Sequence, residues 1–257
     1  MIELQHVTFE TGGATLVSGV SAAFDAGKVH LVIGPNGAGK STLVKLLAGF
    51  LRPTDGRVCY GTANITTASP ANLAKRRAVL SQAVEIAFPL PVRDVVMMGR
   101  YPHFGTHATE HDEAIVDEVM AHVAVDGLGA RTYTTLSGGE KQRVNFARVL
   151  AQIWRPIEGV ERVLLLDEPL TFLDVRHQLD FMHIVRAAAA SDLVIVGVVH
   201  DLNLAARFAD RLLLLDHGRV VASGSPADVL TTSNVQAVFG VTPVTIETAD
   251  ARHFLFE

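Results

Sequence analysis

The chain has 257 residues, a formal net charge of −5 and a single cysteine. That length can bury a sizeable core, as one large domain or a core with a subdomain; the acidic balance argues against a general nucleic-acid binder, and one cysteine excludes an internal disulfide. Hydrophobic residues make up 49% of the chain, yet no apolar run reaches the roughly 18 residues needed to cross a bilayer. The first residues open into an alternating strand pattern rather than a basic, apolar leader, so the expectation is a cytosolic chain that meets a membrane only through a partner.

Residues 2–9 and 14–24 read as strands turned by Gly12-Gly13. The apolar run Val29-His30-Leu31-Val32-Ile33 then leads into Gly34-Pro35-Asn36-Gly37-Ala38-Gly39-Lys40-Ser41-Thr42, followed by a helical pattern over about 40–50. Strand, glycine-rich turn and helix in that order form a phosphate-binding device. The glycines let backbone N–H groups turn inward around phosphate oxygens, and the helix N-terminus adds a favourable dipole. Lys40 can reach β- and γ-phosphates, and the Ser41 hydroxyl is placed to ligate Mg²⁺. Pro53-Thr54-Asp55-Gly56 turns into a strand at about 57–61 that carries Cys59 as a small strand residue. A short helix over 71–76 and a strand at 78–81, ending at Gln82, come next.

The texture changes after Gln82. Pro89 and Pro91 punctuate the chain and helical patterns dominate from about 92 to 152, so residues 83–155 read as a mainly helical insertion in an α/β core. Thr109 and Asp112 form an N-terminal cap before Ile115, Val116, Val119 and Met120. His103, His107 and His111 are spaced by four, with Glu110 and His122 nearby. Pro102 and Gly105 interrupt any helix through them, so this reads as a solvated polar segment rather than a haem or zinc site. Strands return at 163–166 and 193–199, continuous apolar runs suited to parallel strands buried on both faces, with a crossover helix over about 175–190. A strand at 211–216, a hairpin at 216–219, a helix near Pro226, another at about 233–239 and two short strands at 244–248 and 252–256 close the chain.

Four further places carry chemistry. Asp167 and Glu168 end a buried strand, where open α/β sheets place their ligands; Asp167 can hold Mg²⁺ through water while Glu168 polarises an attacking water. Ser137-Gly138-Gly139-Glu140 opens a helical run and offers a second phosphate-binding surface, which suggests a site facing another subunit. His200 ends the strand at 193–199 and can donate to a γ-phosphate or the attacking water. The Gln82 amide can bind Mg²⁺ or water and sense the γ-phosphate.

The order 34–42, Gln82, 136–140, 163–168 and His200 resembles the nucleotide-binding subunit of ABC transporters over essentially the whole chain. The resemblance implies a P-loop NTPase core with a mainly parallel sheet, an N-terminal antiparallel β subdomain and an inserted helical subdomain within one ATP-binding domain. It implies ATP and Mg²⁺ as ligands, with Ser41, Gln82 and Asp167 toward the metal. It also implies a head-to-tail homodimer in which Ser137, Gly138 and Gly139 close over ATP held by Lys40 of the other subunit, with Asp174 in the D-loop crossing that interface. Two departures stand out: Leu170-Thr171-Phe172 replaces the usual small residues, and Thr11 stands where an adenine-stacking aromatic is expected, with Phe9 the nearest ring.

A narrower similarity lies in 96–103, in 151–156 with its extended link around Trp154, and in 200–207. These resemble ATPases of importers for haem, ferric siderophores and cobalamin, the long link being most like the haem branch. The resemblance implies two transmembrane permease subunits, a periplasmic or surface substrate-binding protein, and a peripheral place on the cytoplasmic side of the inner membrane. A ferric-siderophore or cobalamin importer is the first alternative. A soluble ABC protein acting on DNA or ribosomes is the second, opposed by the single cassette and the lack of a long basic arm.

Overall fold

The computed structural model describes residues 1–81, 86–157, 159–171, 173–247 and 252–256. The chain divides into two compact units, Met1–Ala68 with Ala189–Glu257, and Ser69–Ala188.

The first unit opens with β1 (Ile2–Thr11), β2 (Ala14–Phe24) and β3 (Val29–Ile33), then α1 (Lys40–Leu47), β4 (Asp55–Tyr60) and the two-residue β5 (Ala63–Asn64). The second unit contains α2 (Pro70–Arg76), β6 (Arg77–Leu80), α3 (Val92–Met97), α4 (Glu110–His122), α5 (Gly138–Gln152), β7 (Arg162–Asp167) and α6 (Val175–Ala187). The chain returns to the first unit with β8 (Leu193–Val198), α7 (Leu202–Phe208), β9 (Arg211–Asp216), β10 (Arg219–Gly224), α8 (Pro226–Val229), α9 (Thr232–Phe239), β11 (Pro243–Glu247) and β12 (Arg252–Phe256).

In the first unit an antiparallel sheet runs β2-β1-β4-β5, and β3 pairs in parallel with both β8 and β9, with β10 antiparallel on β9. Every residue of β3 and of β8 is buried, as expected for strands covered on both faces. Alternation in β1 breaks at His6, whose φ of +51° accompanies a register shift between Leu4 and Val7. Gly49, with φ +70°, follows α1 and ends it at Leu47, earlier than the pattern to residue 50 suggests. The helix α7 is not evident from the sequence pattern; Asp201 caps it by accepting the N–H groups of Asn203 and Leu204.

In the second unit β6 lies parallel to β7 in the register Arg77–Val163 to Leu80–Leu166. The helices α3, α4 and α5 fall inside the helical stretch read over 83–155, while the compact unit is wider and includes β6, β7 and α6. Helix α4 begins with a full capping box between Thr109 and Asp112. Asp112 also forms a buried ion pair with Arg100 at 3.0 Å, and Arg100 donates to the Ala151 carbonyl at 2.7 Å. Those contacts tie the start of α4 to the end of α5. The segment before α4 is not helical; His103 uses its ring against the Gln152 carbonyl at 2.7 Å. Among the described residues no group of three or more His, Cys, Asp or Glu side chains could hold a metal ion. No described helix is long and apolar enough to cross a membrane.

Candidate nucleotide-binding site

The first unit builds a tight loop over residues 34–39 between β3 and α1. Gly34 has φ +151°, Gly37 +81° and Gly39 +94°, conformations in which a side chain is strained. At two of them space also demands glycine. A Cβ on Gly34 would come 2.1 Å from the Leu215 carbonyl oxygen, and one on Gly39 would come 2.5 Å from that of Leu16. At Gly37 nothing lies within 4 Å: that open position is where backbone can approach a ligand closely. The turn after β9 braces the loop, since Gly218 N donates to the Ala38 carbonyl at 3.1 Å and Ser18 N donates to the Gly218 carbonyl at 2.8 Å.

Lys40, the first residue of α1, is only 5% exposed. Its Nζ donates to the Gly34 and Pro35 carbonyls at 2.8 Å each, which holds the ammonium at the loop. Pro35 is half-buried, Asn36 and Gly37 are exposed and Ala38 is buried, while Ser41 and Thr42 follow half-buried in the first helical turn. A cation, a helix N-terminus and left-handed glycines on one loop are the elements of a polyphosphate cradle. Also in this unit, His200 is exposed two residues after β8, immediately before the Asp201 cap. Thr11 ends β1 exposed, and Phe9 is half-buried opposite Val17.

The second unit carries the remaining described candidates. Strand β7 brings Asp167 to its end, half-buried after four fully buried apolar residues. Arg162 at the start of β7 is buried and donates to the Ile153 and Trp154 carbonyls at 2.6 and 2.5 Å, joining the link around Trp154 to the strand. Glu168 follows in a left-handed conformation, φ +51°, which costs about 1–2 kcal/mol outside glycine. Its carbonyl accepts from Thr171 N at 3.4 Å and Thr171 Oγ1 at 3.1 Å. Strain at one residue directly after an acidic strand end is the kind of distortion that functional sites retain.

Ser137 caps α5 in a reciprocal box: its Oγ accepts from Glu140 N at 3.3 Å, and Glu140 Oε2 accepts from Ser137 N at 2.8 Å. The Ser137 donors hold the Glu140 carboxyl below the usual carboxylate range, Arg131 assisting. Gly138 and Gly139 form the first turn. Asp174 caps α6 through its side chain, accepting from His177 N at 2.9 Å, and the His177 backbone and ring donors hold its carboxyl low. His177 and Gln142 were not apparent from sequence as site residues; the spacing Asp174-to-His177 signals the cap, but not the contact His177 makes with Gly139. Gln82 and Phe172 lie outside the described residues.

These features define a P-loop nucleoside-triphosphatase with a mixed α/β core and an antiparallel N-terminal sheet. The chain belongs to the ABC transporter family: the family model described as ABC transporter matches residues 17–171, and the chain is an ATP-binding, ATP-hydrolysing transporter subunit. It is 44% identical over 93% of its length, and 90% of the relative's, to the hemin import ATP-binding protein HmuV of Rhodopseudomonas palustris strain HaA2. It is 41% identical to that of Rhizobium meliloti, over 93% of this chain and 91% of that one. Among solved structures it is similar in fold to a metal-chelate type ABC transporter in an inward-facing conformation, with a TM-score of 0.83, 24% identity and coverage of 100% of this chain and 96% of that one.

Proposed function

We propose that this chain powers hemin import, as a peripheral subunit on the cytoplasmic side of the inner membrane. It works as a single ATP-binding domain with 83–155 as an inserted helical subdomain, paired head to tail with a second copy. Two transmembrane permease subunits and a periplasmic or surface substrate-binding protein complete the system. The observation that carries the reading is similarity to hemin import ATP-binding proteins over 93% of the chain, joined to a cradle in which Gly34 and Gly39 leave no room for a side chain.

In this reading the loop 34–42 wraps the ATP phosphates with backbone N–H groups, and Lys40 gives up its carbonyl partners for the β- and γ-phosphates. Water attacks the γ-phosphorus in line, the bond to the bridging oxygen breaks, and ADP leaves as phosphate forms. Glu168 orients that water and accepts its proton, while His200 and Gln82 hold the γ-phosphate end of the site. Ser137, Gly138 and Gly139 of the facing subunit close over the nucleotide. Ser41, Gln82 and Asp167 supply hydroxyl, amide and carboxylate oxygens, a donor set that suits Mg²⁺. When bound, Mg²⁺ disperses phosphate charge as it develops.

Glu168→Gln tests the assignment. The amide keeps the shape but cannot accept a proton, so turnover should fall by at least about 10²-fold while ATP binding persists and an ATP-bound dimer accumulates in light scattering. Near-wild-type turnover would defeat the assigned role.

A further inference from the structure

Within the second unit, the segment between β7 and α6 and the first turn of α6 each meet the first turns of α5. Gln142 Nε2 donates to the Pro169 carbonyl at 2.5 Å. The His177 ring fills the space where a side chain on Gly139 would start: a Cβ there would lie 2.4 Å from His177 Cδ2 and 2.8 Å from Nε2. The other side of the same ring is fixed by Asp174, whose Oδ1 lies 2.7 Å from Nδ1 and also accepts the His177 backbone N–H. A carboxylate is acceptor-only, so Nδ1 carries the proton in this contact. The pair is too exposed, at 41% and 65%, for the contact to add much stability. What it does supply is orientation: an imidazole pinned at one edge with its other edge against backbone. The same segment is stiffened further by Gln178, which donates to the Leu170 and Leu173 carbonyls, and by Thr171 on the Glu168 carbonyl.

We propose that His177 is a positioning residue that sets the turn 137–139 from Asp174, so that the segment following Glu168 and the phosphate-facing turn of the same subunit move together. The inference rests on the head-to-tail reading above. Asp174 would then report the state of the neighbouring subunit, and His177 would pass it to the turn that covers that subunit's ATP. Packed atoms already in contact do not compress, so a shift on one side of the ring displaces the other. The functional consequence is positive cooperativity in ATP hydrolysis.

The test uses His177→Ala, His177→Asn, Gly139→Ala and the double variant Gly139→Ala/His177→Ala, with ATP titration of the monomer and steady-state hydrolysis by the dimer. His177→Asn keeps a donor for Asp174 but has no ring to reach Gly139. Both His177 variants should leave monomer ATP affinity within about twofold, lower kcat and take the Hill coefficient toward one, an effect on the order of 5–150-fold in the coupling. Gly139→Ala alone should lose turnover because its methyl meets the ring. Removing the ring in the double variant should recover at least about fivefold of it, the low end of that coupling range. The assignment is overturned if His177→Ala hydrolyses with wild-type kcat and cooperativity, or if the double variant is no more active than Gly139→Ala. Loss of monomer ATP affinity in both His177 variants would mark a folding role and overturn it as well. Absence of ATP hydrolysis in the wild-type protein would instead defeat the functional reading, and this inference with it.

Discussion

Replacing Gly39 by alanine tests the phosphate cradle through geometry alone. The residue has φ +94° and its absent Cβ would stand 2.5 Å from the Leu16 carbonyl oxygen. Ordinary carbon–oxygen approaches are about 3.3 Å or more, so loop and strand must separate by roughly 0.8 Å. The left-handed backbone costs about 1–2 kcal/mol for alanine and the forced displacement about 1–3 kcal/mol, together about 2–5 kcal/mol. Gly37→Ala is the control. It has φ +81° but nothing within 4 Å, so without nucleotide it bears only the backbone cost of about 1–2 kcal/mol. For a chain of this size each kcal/mol moves the melting temperature by about 2–4 °C. Calorimetry without nucleotide should therefore place Gly39→Ala about 2–12 °C below Gly37→Ala. Where the loop yields instead of the fold, the loss passes to ATP affinity, about tenfold per 1.4 kcal/mol. If Gly39→Ala melts with the control and binds ATP like wild type, the loop is not packed against Leu16 and the reasoning fails.

Phe88 is 73% exposed while its backbone is held: Leu90 N donates to the Phe88 carbonyl and Tyr133 N to that of Leu90. Phe88→Asp should change folding stability by less than about 0.5 kcal/mol and spare ATPase activity of the detached subunit. We expect this exposed ring to seat against the permease: in reconstituted vesicles the variant should cut coupled transport about tenfold or more, because a charge would be desolvated in that contact, and unchanged transport would show that Phe88 does not dock. Burial holds the His30, His103 and His122 imidazoles below their usual range. The unfolded chain therefore binds more protons than the folded one between the lowered values and about pH 6.5. Stability should be full above about pH 6.5 and fall as pH drops through that window, and His30→Gln should flatten the fall. A melting temperature that rises from pH 7.5 to 5.5 would contradict this.

The parts of the fold legible in the sequence are those fixed by short-range physics. The runs in β3, β7 and β8 announce strands buried on both faces, and the Thr109–Asp112 cap and the glycine pattern of the 34–42 loop each follow from residues a few positions apart. What was not legible depends on partners far along the chain. Leu215 and Leu16 decide why Gly34 and Gly39 must lack side chains, yet neither carries any signal of it. His177 and Gly139 are brought together by the packing of α6 against the start of α5, and no periodicity marks that contact. The buried Arg100–Asp112 pair similarly gives Asp112 a second role beyond its cap. Helix α7 has seven residues and follows β8 after only Val199, His200 and Asp201, so its start is marked by the Asp201 cap rather than by a helical period.

The central claim, that ATP hydrolysis by this chain drives hemin uptake, is tested most directly in vesicles containing the permease and substrate-binding protein proposed above. Hemin, a ferric siderophore and cobalamin are offered separately with ATP and Mg²⁺, and ligand accumulation is measured with wild type and with Glu168→Gln. The account predicts ATP-dependent uptake of hemin by wild type, none above background with Glu168→Gln, and no comparable uptake of the other two. Uptake of a ferric siderophore or cobalamin in place of hemin would contradict it, as would hemin uptake that continues with Glu168→Gln.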